Sequence, residues 1–214
     1  MSGAPGEKAY WDSVAGKKEF SIPFDMALFK SRSGPDDAVL DFGCGYGRVL
    51  SQLADAGFRD LRGCDFSEKM TALAAKELPG ADIRTNHDVE IPWPDSSCDR
   101  VLLVAVLTCR PGDDAQRKLA GEILRVLRPG GLLFAADFLL NTDARNLERY
   151  EKFKDRHGNY GVFELPGGAV LRHHSEEWIG ELFRDFKTEV FRREVFKTMN
   201  GHLSNGFWLV AKKD

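Results

Sequence analysis

The sequence predicts an α/β fold on a mostly parallel sheet, and three features carry that expectation. Short apolar runs alternate with stretches of helical periodicity. Two of those runs, residues 38–42 and 100–106, are apolar almost throughout, as strands buried on both faces are. The last two runs are separated only by a short polar loop, which suits an antiparallel hairpin rather than another crossover. At 214 residues the chain suits one domain, spanning 1–214, with a well-buried core.

The elements follow in order. Ser33-Gly34-Pro35-Asp36-Asp37 is a turn into the first strand, residues 38–42, which ends in glycines. A helix over about 46–56 puts Val49, Leu50, Leu53 and Ala54 on one face and stops at Gly57. Residues 61–65 form a second strand, and Ser67 caps a helix that begins at Glu68 and ends before Pro79-Gly80. Residues 81–85 are a weak third strand and 100–106 the fourth. A helix over 113–127 turns Leu119, Ile123, Leu124 and Leu127 inward, and Arg128-Pro129-Gly130-Gly131 leads into a fifth strand over 132–137. Residues 138–174 lack a clean period and read as a partly helical insertion over the functional site. Ser175 caps a helix carrying Trp178, Ile179, Leu182 and Phe183, with Glu176 and Glu177 at its positive end. Residues 188–197 and 206–212 close the chain as the hairpin.

Composition removes several function classes. Thirty basic against 33 acidic residues leave a net charge of −3, which offers no general attraction for nucleic acid. No run approaches the roughly 18 apolar residues of a membrane span, and residues 1–8 lack the apolar centre of a secretory signal, so a cytoplasmic protein is expected. Cys44, Cys64, Cys98 and Cys109 form no CxxC pair and are expected as reduced thiols rather than disulfides or a zinc site.

The strongest local signal is Val39-Leu40-Asp41-Phe42-Gly43-Cys44-Gly45-Tyr46-Gly47-Arg48, an apolar strand running through three alternating glycines into a helix. Such glycines let a backbone approach a ligand closely. Dinucleotide enzymes usually place their third glycine three positions after the second, and that position here is Arg48. The GxGxG form, with an acid two residues before its first glycine, instead resembles the first motif of the class I S-adenosylmethionine-dependent methyltransferases, in particular their small-molecule branch. The resemblance continues through Gly63-Cys64-Asp65-Phe66-Ser67, the stretch from His87-Asp88-Val89 to Asp99-Arg100-Val101, and Arg125-Val126-Leu127-Arg128-Pro129-Gly130-Gly131, nearly half the chain in matching order.

That resemblance implies a Rossmann-like seven-stranded sheet, mostly parallel with an antiparallel last strand and helices on both faces, with S-adenosylmethionine as cofactor. Asp41, Gly43, Gly45, Tyr46 and Gly47 would lie at its methionine and ribose portions, and Tyr46 is equally readable as solvent-facing. Asp65, with Phe66 beside it, would hold the two ribose hydroxyls; its two acceptor oxygens suit a cis-diol. Asp88 would meet the adenine amino group, Val89 the ring, and Val104 on the fourth strand is carried over with them. Asp99 and the glycines at 130 and 131 read as structural.

The acceptor is less legible. Methyl transfer from a sulfonium depends mainly on positioning, so no catalytic triad is required. Leu107-Thr108-Cys109 stands where metal-dependent members carry carboxylates, and no metal is expected. Residues 1–30, with Tyr10 and Trp11, resemble a lid over the cofactor, although core packing also explains Trp11. Asp137 falls at the ligand edge of the sheet. The insertion and the loop around Asn200 and His202 are expected to form the acceptor pocket, with Arg145, Tyr160 and Arg172 as contacts suited to an anionic small molecule. Those arginines would otherwise bridge surface acids such as Glu148 and Glu164. His173-His174 offers a general base or, alternatively, an unconnected surface pair. Two other readings stay open: a sulfonium used for chemistry other than methyl transfer, and a non-catalytic cofactor-binding partner. Oligomeric state is not legible.

Overall fold

The computed structural model describes residues 10–13, 15, 21–166 and 168–214. Residues 1–30, expected as a lid, lie partly outside the described residues; of them, residues 10–13 are helical, and a short helix α1 (Met26–Lys30) is capped by Asp25.

Beyond residues 10–13, nine strands and six helices among the described residues follow one another as the alternating pattern requires. Strand β1 (Ala38–Phe42) leads to α2 (Arg48–Asp55), β2 (Asp60–Asp65) to α3 (Glu68–Glu77), and β3 (Asp82–Thr85) to β4 (Cys98–Val104). Helix α4 (Asp113–Val126) precedes β5 (Leu127–Phe138), and α5 (Ala144–His157), β6 (Val162–Glu164) and β7 (Val170–Arg172) fill the expected insertion. Helix α6 (Glu176–Leu182) and the hairpin β8 (Lys187–Lys197) and β9 (Leu203–Lys212) complete the chain.

Seven strands form one sheet in the order β3-β2-β1-β4-β5-β9-β8. β1 pairs in parallel with β2 and β4, β2 with β3, and β4 with β5, whereas β9 runs antiparallel to both β5 and β8. The seven-stranded sheet with an antiparallel last strand is as the resemblance implied. β6 and β7 make a separate two-stranded antiparallel pair.

The period-2 alternation of the strands separates two cores. Leu40, Val101, Leu103, Leu133, Ala135, Phe207 and Leu209 face α4 and α6 through Leu119, Ile123, Ile179 and Leu182. Val39, Leu102, Phe134, Trp208 and Val210 face the other way, toward Phe29 of α1 and Val49, Leu50 and Leu53 of α2. Helices thus cover both faces. Caps fix their starts: Ser67 Oγ accepts from Met70 N at 3.2 Å and Ser175 Oγ from Trp178 N at 3.1 Å. β5 begins five residues before the sequence suggests, because Leu127 already pairs with Cys98 and the register slips between Cys98 and Arg100. No helix among the described residues is long and apolar enough to cross a membrane.

The topology also dictates where a ligand sits. The chain leaves β1 toward β2 and β3, then crosses to β4 on β1's other side, which opens a crevice at the carboxyl ends of β1 and β4.

Candidate functional site

A cavity occupies that crevice. Asp41, Gly43, Cys44, Asp65, Phe66 and Asn86 line it along the ends of β1, β2 and β3, with Val104, Ala105, Val106, Thr108 and Arg110 after β4. Phe138, Arg145, Arg149, Phe163, Leu171 and His173 come from the end of β5 and the insertion, and Thr198, Met199 and Asn200 from the β8–β9 loop. Trp11 closes it from the N-terminal side. In the strand order, β2 and β5 stand three spacings apart, about 14 Å at about 4.8 Å each. The cavity thus has a long axis, with Asp65 and Phe138 at opposite ends.

The glycine loop owes its shape to left-handed backbone. Gly43, Gly45 and Gly47 have φ of 76°, 55° and 87°. A Cβ on Gly43 would lie 2.6 Å from Val106 Cγ2, so the close approach of β1's end to the segment after β4 requires glycine. A Cβ on Gly47 would meet Leu78 and Ala74 at 3.0 and 3.3 Å, which ties this glycine to packing against α3. Ala105, a non-glycine at φ 58° in the cavity wall, holds that conformation because its N–H is anchored to Ala136 O at 2.8 Å.

Two carboxyls dominate the electrostatics. Asp65 is buried, its Oδ2 accepting from Gly45 N at 3.0 Å and its Oδ1 from Ser67 N at 2.9 Å. Burial pushes its pKa up, opposed by those backbone donors. Each oxygen keeps a further lone pair for a ligand hydroxyl. Asp41 is more fully buried, and desolvation raises its carboxyl to about 7, opposed by Arg48 and reinforced by the charge of Asp65. Ser67 Oγ also donates to Asp12, beside Trp11, which links the helical turn at 10–13 to the end of β2.

The structure brings Asp41, Gly43, Asp65, Phe66, Val104, Arg145, His173 and Asn200 of the expected set to the cavity. It does not bring the others there. Gly45, Tyr46 and Gly47 shape the loop without forming its wall. Tyr10 packs edge-on against Trp11 at 5.2 Å, and Trp11 takes the cavity position. Asp88, at φ 56°, lies against Arg110, whose Nη2 donates to Asp88 O at 3.1 Å. Val89 turns into the α4 core, and Asn86 lines the cavity instead. Asp137 is buried beneath the site, accepting from Phe138 N at 2.7 Å and Thr108 N at 3.1 Å, with its carboxyl raised by burial to about 7. Tyr160 is half exposed and packs on Tyr150.

Arg172 is corrected most sharply. Its guanidinium is buried against Asp113 at 2.5 Å, donates to Pro111 O at 3.0 Å and lies over the Trp178 ring at 4.8 Å. The pleat of β7 explains this, since Leu171 and Arg172 must point to opposite sides and Leu171 takes the cavity. Glu164 is bridged by Arg156 and His157, not by Arg145 or Arg172. His173 and His174 are both buried, so they are no surface pair. His174 is held neutral, its pKa lowered by burial to about 3, and bonds Gln116 Nε2 at 2.9 Å and Phe138 O at 3.3 Å. Asp99 is structural as expected, accepting from Ala38 N at 2.9 Å.

Residues 40–135 match the model of the methyltransferase-domain family. Nearly half of the chain is thus similar to the methyltransferase domain. A protein of Mycolicibacterium smegmatis named as a probable S-adenosylmethionine-dependent methyltransferase is 37% identical to this chain over 107 residues, 50% of this chain and 38% of that one. The chain therefore spans about two fifths of the length of that curated relative. An uncharacterized methyltransferase of Oceanobacillus iheyensis is 28% identical over 213 residues, 95% of this chain and 92% of its own. The crystal structure of an S-adenosylmethionine-dependent methyltransferase from Methanosarcina mazei superposes with a TM-score of 0.83 at 24% identity, covering 90% of this chain and 99% of that one, a likeness of fold. Among the described residues no group of three or more His, Cys, Asp and Glu side chains is placed to hold a metal ion.

Proposed function

We propose that this chain transfers the methyl group of S-adenosylmethionine to a small-molecule acceptor within the cavity. The observation that carries this reading is the buried Asp41 carboxyl, raised to about 7 at the end of β1 beside the glycine loop. A buried carboxyl of this kind is stabilised as its anion by a cationic ligand, and S-adenosylmethionine carries both an ammonium and a sulfonium at neutral pH. The donor set fits the group: Asp65 has free lone pairs for a cis-diol, Asn86 and Phe66 line the same end, and Val104, Ala105 and Val106 give the wall an apolar stretch.

The bound cofactor supplies an electrophilic methyl whose C–S electron pair leaves with sulfur as a thioether forms. The protein's task is then positioning and exclusion of water. Val104, Ala105 and Val106 wall the middle of the cavity with apolar groups, and Trp11 covers it. The acceptor enters from the side of Phe138 and the insertion, at the opposite end from Asp65. Four free thiols, three of them buried, fit a reducing compartment such as the cytoplasm.

The test is product analysis. Incubating the protein with S-adenosylmethionine and a metabolite panel should yield S-adenosylhomocysteine in acceptor-dependent fashion. Methylthioadenosine as the product would mean that the sulfonium serves other chemistry.

A further inference from the structure

One cationic group near the acceptor end forms no ion pair with a carboxylate of the described residues. Arg149 projects from α5, one turn beyond Arg145 on the same face, and both line the cavity. Its guanidinium lies 3.4 Å over the Phe163 ring. Its Nε is buried without a hydrogen-bond partner, and no carboxylate of the described residues forms an ion pair with it. Arg145 reaches Asp143 only at 3.8 Å, so two neighbouring cations face the same space nearly uncompensated. Burial and the charge of Arg145 work against the charge on Arg149, partly opposed by Tyr150 and Asp143. Burying an unpaired cation is costly unless a ligand completes the pair.

His173 adds a donor to that space. Asn141 N–H donates to Tyr150 Oη at 3.4 Å, and Tyr150 Oη lies 2.6 Å from His173 Nδ1. Asn141 Nδ2 gives its hydrogens to Leu139 O at 2.8 Å and Ser204 Oγ at 2.9 Å while standing 3.2 Å from the same Nδ1. Where the Tyr150 hydroxyl donates to Nδ1, the imidazole proton sits on Nε2. Yet Nε2 lies 3.4 Å from Arg149 Nη2, also a donor. In that tautomer the two N–H groups require an acceptor between or beside them, whereas with the proton on Nδ1 the ring Nε2 accepts from Arg149. Around them the walls are flat and apolar: Phe138 stacks on His173 at 5.5 Å, and Phe163 meets it edge-on at 5.0 Å.

We propose that Arg149, Arg145 and His173 Nε2–H form a carboxylate-binding subsite, so that the acceptor is a flat, aromatic or conjugated molecule bearing a carboxylate. This deepens the methyl-transfer reading and rests on it. The carboxylate is the handle rather than the methylated atom, because oxygens bonded to guanidinium and imidazole donors are weak nucleophiles. His173 donates and does not act as a general base: its buried ring is surrounded by donors and cations that oppose protonation.

The experiment is calorimetric titration of the protein, with and without saturating S-adenosylhomocysteine, using benzoate, 4-hydroxybenzoate and 2-naphthoate against the matching carboxamides. At least one carboxylate should bind ten- to a hundredfold tighter than its amide, the worth of a charge-assisted hydrogen bond. Arg149→Gln should bring the pair within about threefold while S-adenosylhomocysteine affinity stays unchanged, and Arg145→Gln should produce a smaller loss in the same direction. Equal binding of acid and amide, no binding by any acid, or a preference that survives Arg149→Gln would overturn the subsite. Failure of S-adenosylhomocysteine to bind the wild-type protein would instead remove the methyl-transfer reading, and the titrations without it report on the subsite separately.

Discussion

Replacing Asp41 by Asn removes a buried ionisable group whose carboxyl is raised from 3.8 to about 7 in the folded chain. Between those pH values the folded state holds a proton that the unfolded state has lost, so this group makes stability fall as pH rises through the window. The shift is roughly three units, and at about 1.4 kcal/mol per unit the substitution should gain on the order of 4 kcal/mol above pH 7 and almost nothing near pH 4. Asp137, also raised to about 7, keeps a slope of the same sign in both proteins, and His174, lowered to about 3, contributes the opposite one. The difference between the two proteins is therefore the observable. Cofactor affinity should move the other way: a cation favours ionised Asp41, so wild-type affinity falls by up to about tenfold per pH unit below 7, whereas the variant binds weakly and with less pH dependence. Urea unfolding of both proteins at pH 5, 6, 7 and 8, with calorimetry of S-adenosylmethionine at each, measures both effects. A variant no more stable than wild type at pH 8, or equally shifted at pH 5 and pH 8, would refute the reasoning.

Other substitutions separate binding from scaffolding. Asp65→Ala should lower S-adenosylhomocysteine affinity by about ten- to a hundredfold, and its loss of the Gly45 and Ser67 amide bonds should also raise hydrogen exchange at both amides. Gly43→Ala should cost about 1–2 kcal/mol, from its positive φ and the Val106 clash, and adding Val106→Ala should recover only the steric part, as denaturant midpoints will show. Arg172→Ala should lower unfolding free energy by about 1.5–3 kcal/mol while leaving S-adenosylhomocysteine affinity intact, because it breaks the charged bond from a buried guanidinium to the part-exposed Asp113, and Arg172 does not line the cavity. An affinity loss matching the stability loss would place Arg172 back at the site.

The parts legible in the sequence were those set by local pattern. The apolar runs of β1 and β4 have no helical alternative at that length, and the caps Ser67 and Ser175 begin helices as their side chains demand. The family resemblance pointed to Asp41 and Asp65, and the carboxyl-edge rule applied to β3 would also have found Asn86, the residue after that strand. What escaped depends on side-chain direction. Arg172 and His173 are adjacent, and only the pleat of a three-residue strand decides which faces the cavity. Arg149 stands on a helix with few apolar residues to set its phase, so nothing local distinguishes it from Arg145 or Arg156. Asp88 and Val89 were misplaced because the left-handed conformation at Asp88 rotates the following residue into the core, a backbone choice that no neighbouring glycine announces.

The central claim is that S-adenosylmethionine binds where β1, β2 and β4 end, with Asp65 at the ribose. Calorimetric titration of the wild-type protein and Asp65→Ala with S-adenosylhomocysteine and, in parallel, with a nicotinamide dinucleotide tests it most directly. One equivalent of S-adenosylhomocysteine should bind the wild-type chain, the variant should bind at least about tenfold more weakly, and the dinucleotide should give no heat in either. Saturable dinucleotide binding, or equal S-adenosylhomocysteine affinity in the two proteins, would contradict it.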